Sequence, residues 1–230
     1  MKKALFALAL VLVIACGKEQ SSLTVTGNIK DLKKGTIYLH KIQDTALITI
    51  DSTVINGDSN FNLQFDLQEP EVLFLSLDDN SNRANSIAFF ADKGVTDIKT
   101  SLKRFAYDAV ITGSEQQKKL EEFDKGLESY KNQNLESIKA KFLAEKSGDT
   151  VEISKANKVA NSLLRRKYLY AINFAINNKD SEVAPYIALS EVYDANPKFL
   201  DTIYKSLPKN IADSKYGVEL KKYLEKVKTQ

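Results

Sequence analysis

The sequence predicts an α+β protein: an N-terminal antiparallel β-sandwich or barrel-like domain followed by an all-helical C-terminal domain. Three observations carry this. From Leu23 to about Gly113, apolar residues recur with period two between Gly, Asn and Asp turns, the pattern of short half-buried strands. At Ser114 the period changes abruptly to three- and four-residue steps, the pattern of amphipathic helices. Ahead of both lies a positive start and an apolar run that stops at a thiol, which reads as a targeting segment and not as part of the fold. The predicted organisation is residues 1–15 as signal peptide, 16–22 as a cysteine and polar tether, 23–113 as the β domain and 114–230 as the helical domain.

Met1-Lys2-Lys3 precedes 12 unbroken apolar residues, Ala4 to Ala15. A span of the bilayer core needs about 20, so this run is too short for one. Val13-Ile14-Ala15-Cys16 resembles the lipobox of bacterial lipoproteins, in which the cysteine is acylated and the chain is cut just before it. That resemblance implies Cys16 as a lipid-bearing mature N-terminus, the membrane as a partner through that lipid, and a place in the cell envelope, whether outer membrane, periplasmic or surface-facing. The alternative is an ordinary signal peptide with an incidental cysteine. One acyl chain anchors a protein marginally, while two or more hold it stably.

Cleavage there leaves 215 residues and lowers the formal charge from +3 to +1, because Lys2 and Lys3 are lost. Nothing in that balance suggests nucleic acid, which needs Lys and Arg clustered on one face. Cys16 is the only cysteine, so the body has no disulfide and no thiol chemistry. It must be held by an ordinary core, which this length can supply. Gly17 to Ser22 reads as a polar tether reaching roughly 20 Å when extended.

The strand segments follow in order. "LTVTGNI" alternates through Leu23 and Val25 to Gly27, where a bulge or turn is expected. "GTIYLHKI" and "ALITIDSTVI" lead to "NGDSN" at Asn56–Asn60, a hairpin signal because Asn-Gly accepts positive φ. "FNLQFDL" alternates cleanly, and "EVLFLSLD", "SIAFFAD", "VTDIKTSL" and "DAVITG" bring the expectation to about eight or nine strands.

Ser114 and Gln117 fit a capping box. Leu120, Phe123, Leu127, Tyr130, Leu135, Ile138 and Phe142 predict one buried stripe along a helix ending at Ser147-Gly148. A second helix is expected from Thr150 to Asn177, with Val159, Leu163, Tyr170 and Phe174 among its apolar positions. Shorter ones follow at Glu182–Tyr193, Pro197–Leu207 and Asn210–Val227, with Asn196-Pro197 as a cap and first-turn proline.

No segment assembles a catalytic motif. His40 is the only histidine and has no evident partner; a lone strand histidine is most simply a surface or half-buried residue. Zinc needs several Cys and His ligands, and no metal or cofactor is expected. Asp78 to Asn82 (DDNSN) has the look of a calcium loop, but Arg83 and Phe89 occupy the places where an EF-hand needs Gly and Glu, so a polar hairpin tip is expected. "KYLYAINFAINN", Lys167–Asn178, is apolar on several faces and reads as a central packed helix, with a ligand groove as the sharper alternative. Arg165-Arg166-Lys167 reads as a solvated edge, with phosphate or headgroup binding as the alternative.

The succession "LTVTGNIKDLKKGTIYLHKI", "ALITIDSTVINGDSNFNLQFDL", "FFADKGVTDIKTSL" and "AVITGSEQQKKLEEF" resembles DUF4369, a domain of unknown function found in lipoproteins of the Bacteroidetes. "SEVAPYIALSEVYD" and "LPKNIADSKYGVELKKYL" resemble the helical part of the same family. Longer relatives continue into a thioredoxin-like domain with a Cys-x-x-Cys centre. No such pair occurs in this sequence, so the resemblance implies the anchored module without oxidoreductase activity.

The functional expectation is a lipid-anchored envelope protein acting as a non-enzymatic binding or interaction module. Three alternatives stand beside it. They are small-ligand or glycan binding in a groove between the two domains, an accessory partner of an envelope thiol–disulfide oxidoreductase, and a hydrolase with an unrecognised carboxylate pair.

Overall fold

The structure is a computed structural model that describes residues 21–79 and 85–228. The signal segment 1–15, Cys16, most of the tether, and Asn80 to Arg83 of the acidic loop lie outside the described residues. The described residues form eight strands: β1 Leu23–Lys30, β2 Lys34–Gln43, β3 Ala46–Asn56, β4 Asn60–Phe65, β5 Glu71–Ser76, β6 Ile87–Ala91, β7 Gly94–Ser101 and β8 Val110–Thr112. Six helices follow: α1 Glu115–Ser147, α2 Thr150–Asn177, α3 Val183–Glu191, α4 Pro197–Ser206, α5 Lys209–Ala212 and α6 Lys215–Lys228. Among the described residues, no helix is long and apolar enough to cross a membrane.

The strands form two four-stranded sheets, ordered β4-β1-β7-β8 and β3-β2-β5-β6. Their facing sides supply one apolar cluster, with Leu23 and Val25 from β1, Leu39 from β2, Leu63 from β4, Leu73 from β5, Phe89 from β6 and Ile98 from β7. The expected sandwich is therefore present, but not wholly antiparallel. β1 and β7 pair in parallel, Leu23 opposite Gly94 through Lys30 opposite Ser101. The chain passes through the other sheet before β7 returns beside β1, and so long a crossover allows a parallel return.

Gly27 corrects a second expectation. It sits in unbroken register opposite Phe61 and Ile98, neither bulge nor turn. A Cβ there would lie 1.9 Å from the Ile98 carbonyl oxygen, so glycine is set by the close approach of β7. The real irregularity is between Leu39 and His40, where the β2–β3 register slips by one residue.

All six residues of β5 are buried. Leu73 and Leu75 face the sandwich interior, while Val72 and Phe74 on the other side join Phe90, Ile187, Leu200 and Leu220 in a second cluster. A run buried on both faces loses its polar alternation. The helices thus lie on the outer face of the β3-β2-β5-β6 sheet and share a core with it.

The Ser114 junction is only half a capping box. The Ser114 hydroxyl accepts from Gln117 N at 3.0 Å and donates to the Phe90 carbonyl at 2.6 Å. Gln117 does not reach back; its Oε1 accepts from Phe90 N at 2.8 Å and its Nε2 donates to Glu121 at 2.9 Å. β6 is the edge of its sheet, and α1 supplies the two side chains that satisfy its exposed backbone groups.

The expected buried stripe of α1 ends near Tyr130. Phe123 and Leu127 are buried, but Leu135, Ile138 and Phe142 are 65, 58 and 64% exposed. Beyond Tyr130, buried positions on α1 are small, Ser137 and Ala144, and bring it against α2. In α2 the expected Val159 is 53% exposed while Leu163 is buried. The single helix expected over 210–227 is two, broken at Asp213-Ser214. There the Ser214 hydroxyl donates to the Ile211 carbonyl at 2.8 Å, and a Cβ on Gly217 would lie 2.1 Å from that same oxygen.

Candidate functional site

Where α3 and α6 cross the edge of the sheet, a groove of about 540 Å³ remains beside the β2–β3 turn and the segment leading into β5. Val72 and Phe74 of β5, Tyr186 of α3 and Tyr216 of α6 form its apolar wall, and Lys41, Asp44, Glu69, Glu71, Lys215 and Glu219 supply charge.

The wall is built from an aromatic triad. Phe90, Tyr186 and Tyr216 meet edge to face, with centroids 5.4, 5.6 and 5.1 Å apart, the arrangement ring quadrupoles favour. Tyr216 Oη accepts from Val72 N at 2.9 Å, fixing α6 to the sheet. Burial raises the hydroxyls of both Tyr216 and Tyr186 above the ordinary phenol value, so both stay neutral at physiological pH.

The charged rim is organised around the first turn of α6. Glu69 accepts from Lys215 N at 2.6 Å, and the buried Glu71 carboxylate pairs with the Lys215 ammonium. Both acids, contributed from 144 residues or more away, therefore sit against the positive end of the helix dipole. Glu219, one turn on, has no such engagement. Although Glu219 is exposed at the groove rim, partial desolvation raises its carboxyl above the ordinary value; Lys215 and Lys222 oppose that shift, and Glu71 and Glu69 add to it.

The residues singled out from sequence fall elsewhere. Cys16 and most of the Asp78–Asn82 loop lie outside the described residues. His40 is neither exposed nor without partners: it is 1% exposed, its Nε2 lies 2.7 Å from Ser76 Oγ and its Nδ1 3.1 Å from Thr49 Oγ1. Thr49 in turn donates to Asp79 at 2.8 Å. The register slip at Leu39/His40 places Thr49 opposite the imidazole. Ser76 is itself 3% exposed and donates to the Asp78 carbonyl at 2.6 Å, so the imidazole and this hydroxyl are buried, while Thr49 and Asp79 at the other end of the chain of contacts are exposed.

Within Lys167–Asn178, Ala171, Ile172 and Ala175 are buried, as a packed helix requires, while Leu169 is 40% exposed. Lys167 is paired with Glu191 at 2.9 Å and Arg166 donates to Gln133 at 3.4 Å, so this basic triplet is partly tied down. Among the described residues no cluster of three or more His, Cys, Asp or Glu is placed to hold a metal ion.

Sequence reasoning anticipated a groove between the two regions but named none of its residues. The one local sign was Gly217 beside Tyr216, a glycine interrupting a helical pattern where backbones meet closely. Residues 23–120, all eight strands and the first turns of α1, match the family model for a domain of unknown function, DUF4369. No curated protein and no solved structure matches the chain.

Proposed function

We propose that this chain, whose residues 23–120 match the model of DUF4369, a family defined without an activity, is a non-enzymatic, lipid-anchored envelope module that binds a small polar ligand or glycan in the sheet–helix groove. The groove carries the reading. An aromatic wall with a few convergent polar groups is the usual construction of a small-molecule site, and about 540 Å³ falls in the range such sites occupy.

The engagement of the acids favours binding over hydrolysis. A glycosidase-type mechanism needs two free carboxyl groups in facing positions. Here Glu69 and Glu71 hold the start of α6, and the acids left over are Glu219 and, on the exposed β2–β3 turn, Asp44.

The test is a thermal-shift series on the full chain with neutral monosaccharides, N-acetylated amino sugars and cell-wall muropeptides. A ligand at about 100 times its Kd should stabilise the protein by about 2.7 kcal/mol, and Glu219→Gln or Tyr186→Ala should weaken the response. Equal shifts in all three proteins would overturn the groove assignment. The anchor is tested separately: Cys16→Ser should abolish acylation detected by mass spectrometry, and an unacylated Cys16 in the native protein would remove the lipid from the proposal.

A further inference from the structure

We propose that the outer face of the distal half of α1 rests on an anionic lipid bilayer. Leu135, Ile138 and Phe142 are more than half exposed. They lie roughly 100–160° around the helix from Ser137, whose side is buried against α2. This is an unpartnered apolar face on a projecting hairpin, since α1 alone is 33 residues or about 50 Å long.

Charge identifies the occupant. Residues 131–166 contain eight Lys and Arg against four Asp and Glu, a net +4, whereas the rest of the chain carries a net −1. The whole positive excess of the protein is therefore on the distal hairpin. Lys131, Lys139 and Lys146 flank the apolar residues on the same face. Lys131 and Lys139 touch acids only at 3.7 and 4.0 Å in exposed pairs, which hold a side chain weakly. Apolar residues with lysines along their border are the composition of a helix lying in a membrane interface, the lysine stems reaching up to anionic headgroups. An acidic protein would meet the same charge, but a row of Phe, Ile and Leu with no groove or polar hydrogen-bonding partner suits an acyl boundary better than a shaped surface.

The root of the hairpin sits close to where the chain leaves toward its N-terminus. Ser22 O accepts from Gly94 N at 2.8 Å, and Asp92, two residues before Gly94, accepts from Gln116 N at 2.9 Å. The N-terminal exit is thus beside the first turn of α1, and Leu135 lies about 30 Å further along the helix. The contact nevertheless stands without a lipid on Cys16, because it needs only the hairpin.

The chain has no tryptophan, so Phe142→Trp in the full chain is a single reporter at an exposed position. With vesicles of phosphatidylcholine mixed with phosphatidylglycerol, Trp emission should shift to the blue and be quenched by brominated lipid. Both signals should be absent with phosphatidylcholine alone and in the added triple variant Lys131→Glu, Lys139→Glu, Lys146→Glu. Each lysine neutralised singly should weaken the vesicle response about fivefold. Water-like emission in every vesicle overturns the proposal, even if the chain co-floats through its N-terminus. A blue shift without vesicles that grows with protein concentration overturns it in favour of a second copy of the chain. An equal shift on neutral vesicles overturns the assignment to an anionic surface.

Discussion

Tyr216 holds Val72 across the sheet–helix boundary: its phenolic oxygen accepts the Val72 backbone N–H at 2.9 Å, and both residues are less than a tenth exposed. β5 has neighbours on both sides in its sheet, yet this N–H is given to a helix. One hydroxyl therefore closes the sheet's hydrogen bonding and locates the wall of the groove.

Tyr216→Phe keeps the ring packing and deletes only the acceptor. The orphaned N–H should cost about 1–3 kcal/mol, read as a lower midpoint in urea unfolding with an unchanged slope. A change below a few tenths of a kcal/mol would show that Val72 does not depend on this bond.

Gln117 does for β6 what Tyr216 does for β5. Gln117→Ala should leave Phe90 N unsatisfied and lower stability by about 1–3 kcal/mol. Ser114→Ala removes the helix cap and the donor to Phe90 O together, for about 1 kcal/mol from the cap alone. Amide exchange at Phe90 separates a local opening from global loss: in Gln117→Ala it should accelerate before the sandwich core does.

Gly126 lets α1 pass the Tyr170 ring of α2. A Cβ at position 126 would lie 1.8 Å from Tyr170 Oη, which donates to Phe123 O at 3.1 Å. Although alanine favours a helix by roughly 1 kcal/mol, Gly126→Ala should destabilise the protein by about 1–3 kcal/mol through overpacking. Combining it with Tyr170→Phe should recover part of that loss in thermal melts, because the clashing oxygen is gone.

Glu219 gives a pH dependence with a defined sign. Its carboxyl is raised in the fold by partial desolvation at the groove rim, so the folded state binds the proton more tightly than the unfolded chain. Its contribution is favourable when the acid is protonated and is lost as pH rises through the folded value. Glu219→Gln should therefore be more stable than the parent at neutral pH, and the two should converge below about pH 4. Urea midpoints across that range check this; a gap that widens on acidification would contradict it.

Much of the fold was legible because it is local. Period-two alternation marked the strands, and Asn56-Gly57 marked the β3–β4 turn, where Gly57 takes φ 95°. Ser114 and Gly148 marked both ends of α1, and Asp149, which caps α2 through Val151 N at 2.8 Å, completed the hairpin. The same reasoning failed where a pattern depends on what packs against it. Leu135, Ile138 and Phe142 have the spacing of a buried stripe, but among the described residues no layer covers them beyond Tyr130. His40 looked isolated because Thr49, Ser76 and Asp79 reach it only through a strand slip and the pairing of β2 with β5.

By itself the sequence determined the order of elements, the change from sheet to helix at Ser114, and the confinement of thiol chemistry to Cys16, because periodicity, caps and composition are properties of neighbouring residues. Only the tertiary structure decided that β1 runs parallel to β7, that Glu69 and Glu71 serve α6, and that Phe90, Tyr186 and Tyr216 meet. Those contacts join residues tens to more than a hundred positions apart, and their partners are chosen by which faces must leave water together.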